Sequence, residues 1–257
     1  MSQANGDCGD VQKKIFEQNS AVHDLWQKSN QVLPYITIVY LAALTGRPAG
    51  ENEEAYDAER GELEGLVVAQ YNGIREPASS PEVPLLNIVI DNGGFQLEYA
   101  SQAVDMIAGL AAQDPKVVSV IARESRASTA EALRKLNRIG PPLIAPVATA
   151  DYFGKNSRLY LQLSATNRDQ ARLIGEYAKQ VLNVLDAQLY WTIGTHSDFD
   201  HDLYVKTLVH DLEEIFPGRF KIQVNNKVNS MARLILAYVA TRERSSSLAD
   251  GPNLGAF

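Results

Sequence analysis

The chain of 257 residues contains a single cysteine, Cys8, which excludes an intrachain disulfide framework and a cysteine-based zinc site. Cys8 lies in the polar stretch NGDCGD, and this setting predicts a position outside the core. The residues before it, MSQANGD, lack the apolar stretch that a secretory signal or a lipid-attachment site needs. No apolar run approaches the roughly 20 residues of a membrane helix. We therefore expect neither an export signal nor a membrane span in this chain, which can be a piece of a longer protein.

Basic residues are also scarce, because 24 Lys and Arg stand against 31 Asp and Glu, giving a net charge of -7. A nucleic-acid surface needs clustered Lys and Arg to neutralise phosphate, and the sequence has no basic run. Common enzyme signatures are missing too: there is no G-x-S-x-G elbow, no phosphate loop and no G-x-G-x-x-G dinucleotide turn. The sequence therefore predicts no nucleic-acid partner, and it favours binding over catalysis.

What the sequence does contain is a regular alternation of two kinds of segment. Apolar, β-rich stretches such as YITIVYLAALTG, PLLNIVIDNGG, KVVSVIARES and PPLIAPVAT alternate with amphipathic helical stretches. Strands that are apolar on both faces are typical of a parallel sheet with helices on both sides. The predicted fold class is α/β, a Rossmann-like parallel sheet flanked by helices.

The same pattern predicts a division of the chain into four parts. Residues 1–34 form an N-terminal amphipathic helix, residues 35–165 a first α/β lobe, residues 166–244 a partial second lobe, and residues 245–257 a disordered tail. We expect β-α-β in the second lobe, followed by a helix over residues 230–244 and no further strand. A second lobe built in this way is incomplete and leaves a sheet edge open, which favours self-association or a longer parent chain.

The ends of the predicted strands are the candidate functional positions. In open parallel sheets, ligands bind beyond the carboxyl ends of the strands. The strand ends ALTG, DNGG, ARES and APVAT all carry small or polar residues. Turns of this kind leave backbone N–H groups free at a helix start, where they attract carboxylate or phosphate groups.

The order of these segments resembles lobe one of the type I periplasmic-binding-protein family. Within that family it is most similar to the branched-chain-amino-acid-type receptors of ABC transporters and to receptor ligand-binding regions. The resemblance covers roughly residues 35–225, and its most specific stretch is VVSVIARESRASTAEALRKLNRIGPPLIAPVAT. It implies a small-molecule solute as ligand, an ABC transporter permease or a membrane-anchored parent chain as partner, and an extracytoplasmic or membrane-associated location.

In that family, the loop after the third strand and the turn after the fourth hold the carboxylate and ammonium of an amino-acid-like ligand. The ligand-binding residues that the resemblance implies here are Ser125, Arg126, Ser128, Val147, Thr149 and, from the second lobe, Tyr204. Arg126 departs from the family, which usually has a serine at this position. An arginine there would reshape the pocket and could recruit a more anionic solute.

Each of these residues also has an interpretation without a ligand. Ser128 and Glu131 fit the S-x-x-E pattern of a capping box at a helix start. Arg126 can be a solvated surface charge, Thr149 can cap the short turn that follows it, and Tyr204 can simply pack at a helix start. The sequence leaves both sets of interpretations open.

No metal or other cofactor is expected. The aspartates of THSDFDHDLY alternate like the front of a calcium loop, but Leu203 and Val209 stand where that loop needs Gly and Glu. His196 and His201 lack a suitably spaced third ligand for a transition metal.

The function predicted from these observations is solute binding, of a small polar, amino-acid-like ligand held between two α/β lobes. Two alternatives remain open at this point. One is a cytoplasmic effector-sensing domain of a regulator, which uses the same fold, and the other is an enzyme on a flavodoxin-like sheet.

Overall fold

The computed structural model describes residues 6–45, 57–75, 83–183, 187–192, 200–225 and 234–237. The predicted tail at 245–257 lies outside these residues, as do His196 and Asp198. The helices are α1 (Gly6–Lys28), α2 (Asp57–Arg75), α3 (Ala100–Gln113), α4 (Ala127–Ile139), α5 (Tyr152–Asn156), α6 (Asn167–Gln180) and α7 (Leu203–Ile215). The strands are β1 (Tyr35–Ala42), β2 (Leu85–Asn92), β3 (Val117–Ala122), β4 (Leu143–Ala145), β5 (Tyr160–Gln162), β6 (Ala187–Thr192), β7 (Phe220–Asn225) and β8 (Leu234–Ala237).

The first five strands form one parallel sheet in the order β2-β1-β3-β4-β5. In the centre, Val39 of β1 lies opposite Val89 of β2 and Val120 of β3. The chain extends the sheet from β1 first towards β2 and then towards β3, so the direction of winding changes at β1. The α/β prediction is confirmed, with helices covering both faces of this sheet.

The alternation of side chains along β1 explains why helices are needed on both faces. Val39 and Leu41 pack in the main core with α3 and α4, whereas Tyr40 and Ala42 point to the opposite face and pack with α1 and α2. All four side chains are buried. A strand that is apolar on both faces is stable only inside such a three-layer arrangement.

Helix α1 covers the edge of the sheet and corrects the expectation for Cys8. It begins two residues before Cys8, so that Cys8 shares an apolar face with Val11 and Ile15 at helical spacing. Cys8 is therefore buried, with 3% of its surface exposed, and the prediction from its polar neighbours is wrong. Asn19 fixes the helix to the edge strand, because its Nδ2 donates to the Ile88 carbonyl over 2.8 Å.

The second unit, which comprises α6, α7 and strands β6 to β8, contains a strand that the sequence pattern did not predict. Strand β6 pairs with β7 in parallel and with β8 in antiparallel orientation. Where a helix was predicted over 230–244, Leu234–Ala237 forms β8. A short apolar run such as LILA is compatible with either structure, and the unpaired edge of β6 supplies the hydrogen-bonding groups that decide between them. The predicted absence of a further strand is wrong, and within the described residues the second sheet has three strands.

Helices α6 and α7 pack tightly against each other. A Cβ on Gly175 would overlap the side chain of Ile215, so glycine permits the close approach of the two helices. Helix α6 begins with Thr166 as its N-cap, whose Oγ1 accepts a hydrogen bond from Asp169 N over 3.1 Å. In the part of the chain that the structure describes, no helix has the length and apolar character needed to cross a bilayer.

Candidate ligand-binding site

The loops after β3 and β4 and the start of α7 line an open pocket of about 420 Å³. The residues that line it are Arg123, Glu124, Ser125, Arg126, Val147, Thr149, Gln170, Asp202 and Tyr204. The pocket lies at the carboxyl ends of the parallel strands, where the strand-end rule predicts a ligand. Its opposite wall comes from the second unit, so both units contribute to it.

Five of the six residues that the resemblance singled out line this pocket, and Ser128 does not. Ser128 is the second residue of α4, and the N-cap of that helix is Arg126, which makes no side-chain capping hydrogen bond. The capping-box alternative for Ser128 and Glu131 is wrong, because the helix starts too early for Ser128 to cap it.

A hydrogen bond joins the two loops of the first unit. Thr149 N donates to Ser125 Oγ over 3.2 Å, and the Thr149 carbonyl accepts from Asn167 N over 2.7 Å. The alternative that Thr149 caps the following turn is wrong, because the N-cap of α5 is Asp151 and no capping side-chain bond is made there. Thr149 is half-buried and is one of the residues that line the pocket.

Backbone hydrogen bonds fasten the start of α7 to the loop after β3. The Ser125 carbonyl accepts from Leu203 N over 3.0 Å and from Tyr204 N over 3.3 Å. One step along, Ala127 N donates to the His201 carbonyl over 3.1 Å. This short antiparallel bridge between Arg126 and Asp202 brings Tyr204 to the pocket. The residues that it joins are nearly 80 positions apart in the sequence.

Arg126 lies between two carboxylates. Its Nη1 is 3.7 Å from Asp202 Oδ2 and its Nε is 4.0 Å from Glu124 Oε2. Its side chain is 21% exposed, so the alternative of a solvated surface charge is wrong. Both distances are longer than a hydrogen bond, which leaves the guanidinium able to approach another acceptor in the pocket.

The guanidinium of Arg123 forms its ion pairs with carboxylates of α2. Its Nη1 is 2.5 Å from Glu59 Oε1 and its Nε is 3.2 Å from Glu62 Oε1. The Tyr40 hydroxyl donates to Glu62 Oε2 over 2.6 Å. Burial raises the pKa of Glu62, although the bond from Tyr40 and the charge of Arg123 act in the other direction. Arg123 therefore forms a wall of the pocket, while the two carboxylates behind it more than balance its single positive charge.

Burial determines the direction in which the pKa of Glu124 is shifted. Burial raises the pKa of Glu124, the charges of Arg123 and Arg126 lower it, and those of Glu59 and Glu62 raise it again. The net shift is upwards because the cost of burying the charged carboxylate exceeds the effect of the two arginines.

Reasoning from the sequence missed Asp202, which lines the pocket, and Asn167, which does not line it but bonds to the start of α7. Asp202 precedes an apolar helical stretch, which is typical of an N-cap, and its Oδ1 accepts from Val205 N over 3.2 Å. Asn167 has no comparable signal, yet its buried Nδ2 donates to the Tyr204 carbonyl and to Thr207 Oγ1, each over 2.7 Å. Sequence reasoning could have found Asp202 but not Asn167.

Arg123 and Glu124 had a signal that was not used. Both follow directly after the last residue of β3, at the strand end where a ligand is expected. Across the described ranges, no group of three or more His, Cys, Asp and Glu side chains is arranged to hold a metal ion.

Comparison with known proteins bears on the fold. No protein-family model and no curated protein matches the sequence. Among solved structures, it is similar to the branched-chain amino acid transporter substrate binding protein LivJ from Streptococcus pneumoniae, solved with isoleucine, with 21% identity and a TM-score of 0.51 over 74% of this chain and 50% of that one.

Two further solved structures are similar to this chain with lower TM-scores. The leucine binding protein LivK from Thermotoga maritima shares 14% identity over 74% of this chain and 48% of its own, with a TM-score of 0.49. An ABC transporter substrate-binding protein from Desulfitobacterium hafniense, in complex with Leu, shares 16% identity over 76% and 51%, with a TM-score of 0.48. This chain thus spans about half the length of the solved chains it resembles. The first similarity and the five-stranded parallel sheet together show that the chain has the α/β fold of the type I periplasmic-binding proteins.

Proposed function

We propose that this chain is a solute-binding domain for a small polar, amino-acid-like ligand held between its two α/β units. The observation that carries the proposal is the pocket itself, which places hydroxyl, guanidinium and carboxylate groups from both units around one space of about 420 Å³. This volume lies within the range of small-molecule sites.

The arrangement of charges suits a ligand with an ammonium and a carboxylate on neighbouring atoms. The hydroxyls of Ser125 and Thr149 can donate to a carboxylate, and Arg126 supplies a positive charge beside them. Glu124 and Asp202, the two carboxylates between which Arg126 lies, can accept from an ammonium group. Among the described residues that line the pocket, no histidine accompanies the hydroxyls of Ser125 and Thr149 to activate them as nucleophiles, which favours binding over catalysis.

The similarity in fold supports the same function. The Streptococcus pneumoniae protein is a transporter substrate binding protein whose structure holds isoleucine. By this analogy, we propose a transporter permease, or a larger parent protein, as the partner of this chain. This chain spans about half of that protein. We therefore propose, by the same analogy, that the two units close over the ligand and that the closed form contacts a permease.

The first test removes one pocket hydroxyl without changing the shape of the side chain. Thr149→Val should raise the Kd of the best-binding L-amino acid about tenfold, because a hydrogen bond to a charged group contributes about 1.5 kcal/mol or more. Isothermal titration calorimetry over the twenty L-amino acids measures the effect.

The matched control is Thr129→Val, which makes the same substitution at a buried residue of α4 that does not line the pocket. We expect the control to bind like the wild type. If none of the amino acids binds the wild-type chain, the proposed function is wrong. If both variants lose affinity equally, Thr149 acts through folding and not through contact.

A further inference from the structure

We propose that the ligand carries a second positive charge, so that the site takes a cationic amino-acid-like solute with an ammonium or guanidinium side chain and not a branched aliphatic one. The inference rests on the proposed function, because it concerns the ligand class of the same pocket.

The first argument is the balance of charge around the pocket. The network contains two cations and four carboxylates. Its cations are Arg123 and Arg126, and its carboxylates are Glu59, Glu62, Glu124 and Asp202. With every group ionised, the network carries two more negative than positive charges, and a ligand with no net charge leaves that excess unchanged.

The second argument is the position of the uncompensated carboxylates. Glu59 and Glu62 contact Arg123 and lie behind it, whereas Glu124 and Asp202 line the pocket and share Arg126 between them. The side chains of Glu124 and Asp202 are only 21% and 11% exposed, so solvent screens them weakly. A positive group brought into the pocket therefore interacts with them more strongly than it would at a protein surface.

The third argument is the scarcity of apolar lining. Val147 is the aliphatic residue among those that line the pocket, and it is itself 48% exposed. The ring of Tyr204 adds one aromatic surface. The side chain of leucine or isoleucine would bury little apolar area here and would take water away from charged groups, which costs free energy.

The same geometry changes the expectation for Arg126. From the sequence alone, an arginine at this position indicated a more anionic solute. In the structure, an anionic side chain placed beside Arg126 would also lie near Glu124 and Asp202. Arg126 can therefore serve the ligand carboxylate, while the excess of acidic groups selects for a cation elsewhere on the ligand.

Isothermal titration calorimetry with lysine, norleucine, leucine and glutamate tests the inference. Lysine and norleucine have the same carbon skeleton and differ only in the terminal ammonium group. We expect lysine to bind at least about tenfold more tightly than norleucine, the size of effect that one charge-assisted hydrogen bond gives. The preference should also weaken as salt is added.

Three outcomes distinguish the inference from the proposed function. If leucine or norleucine binds as tightly as lysine, or if glutamate binds most tightly, the cationic class is wrong and amino-acid binding stands. If none of the four binds and none of the remaining amino acids does, the proposed function is wrong together with the inference. If lysine binds most tightly, both are supported.

Two variants test whether the pocket carboxylates cause the preference. Glu124→Gln and Asp202→Asn each remove one charge without changing shape, and asparagine can still cap α7 as Asp202 does. Either variant should reduce the ratio of lysine to norleucine affinity at least about threefold, and the double variant should reduce it further.

The matched control is Asp200→Asn, two residues from Asp202, at an exposed carboxylate that pairs with Lys206 and does not line the pocket. It should leave the ratio unchanged. If Glu124→Gln, Asp202→Asn and the double variant all keep the wild-type ratio of lysine to norleucine affinity, the preference does not come from this pocket and the inference is wrong. Should a variant not fold, the wild-type comparison of lysine with norleucine still decides the ligand class.

Discussion

Replacing Arg123 with methionine should lower the free energy of unfolding by about 3 to 5 kcal/mol, the usual cost of removing one partner of a buried ion pair. The guanidinium lies within 3.2 Å of both Glu59 and Glu62, and all three side chains are mostly buried. Methionine fills similar space but leaves two carboxylates facing each other without a cation. Chemical denaturation monitored by circular dichroism measures the loss.

The matched rescue is the triple variant in which Glu59→Gln and Glu62→Gln accompany Arg123→Met. It should recover most of the lost stability, because neutral amides tolerate the same buried position far better than unpaired charges. Arg172→Met serves as the control, because Arg172 is mostly exposed and its Nη2 lies 3.7 Å from Asp169 Oδ1, beyond hydrogen-bond distance. This substitution should change the free energy of unfolding by less than about 0.5 kcal/mol. A loss in the triple variant as large as in Arg123→Met would show that packing, and not charge, explains the effect.

Replacing Asp211 with asparagine should stabilise the protein at alkaline pH. Asp211 on α7 is only 3% exposed, and its Oδ2 is buried without a hydrogen-bond donor. Burial, followed by a shared hydrogen bond with the Asp151 carboxylate, raises the pKa of Asp211 from 3.8 to about 7. Two carboxyl groups can share a hydrogen bond only when one of them holds a proton. The positive charge of Arg168, whose Nε is 3.6 Å from Asp211 Oδ1, lowers the pKa of Asp211 and so offsets part of this increase.

The raised pKa determines the direction of the pH dependence. The folded chain binds the Asp211 proton more tightly than the unfolded chain, so this group stabilises the fold fully below about pH 4. That contribution is lost as the pH rises towards 7 and is absent above it. Asparagine stays neutral and can donate to Asp151 at every pH.

The variant should therefore match the wild type at pH 4 and exceed its stability by about 2 to 4 kcal/mol at pH 8, since each pKa unit corresponds to about 1.4 kcal/mol. Urea denaturation at a series of pH values between 4 and 8 measures the difference. The same substitution at Asp105, an exposed carboxylate paired with Lys135, should bring no such gain. If Asp211→Asn is less stable than the wild type at pH 8, the ionised carboxylate contributes more through Arg168 than it costs by burial.

The pattern of the sequence was sufficient for most of the first unit. Its strands are short apolar runs and its helices have an apolar face, so the local signal and the packed structure agree. The strand-end rule also led to the loops after β3 and β4, because the end of a strand is a local property that the sequence records, and the family resemblance singled out Ser125, Val147 and Thr149 within them. The structure differs from the prediction where a tertiary partner overrides the local pattern. Leu234–Ala237, for example, was predicted as part of a helix and forms a strand that pairs with β6.

What the sequence by itself determined is therefore the α/β layering, the positions of the strand ends and the polar residues available there. Tertiary structure decided which of those residues meet. The bridge between Arg126 and Asp202, the commitment of Arg123 to Glu59 and the burial of Cys8 each join segments that are distant in the chain or depend on where a helix begins. Charge compensation is a sum over neighbours in space, and for this reason the acidic excess that selects the ligand becomes visible only when the packed chain brings those neighbours together.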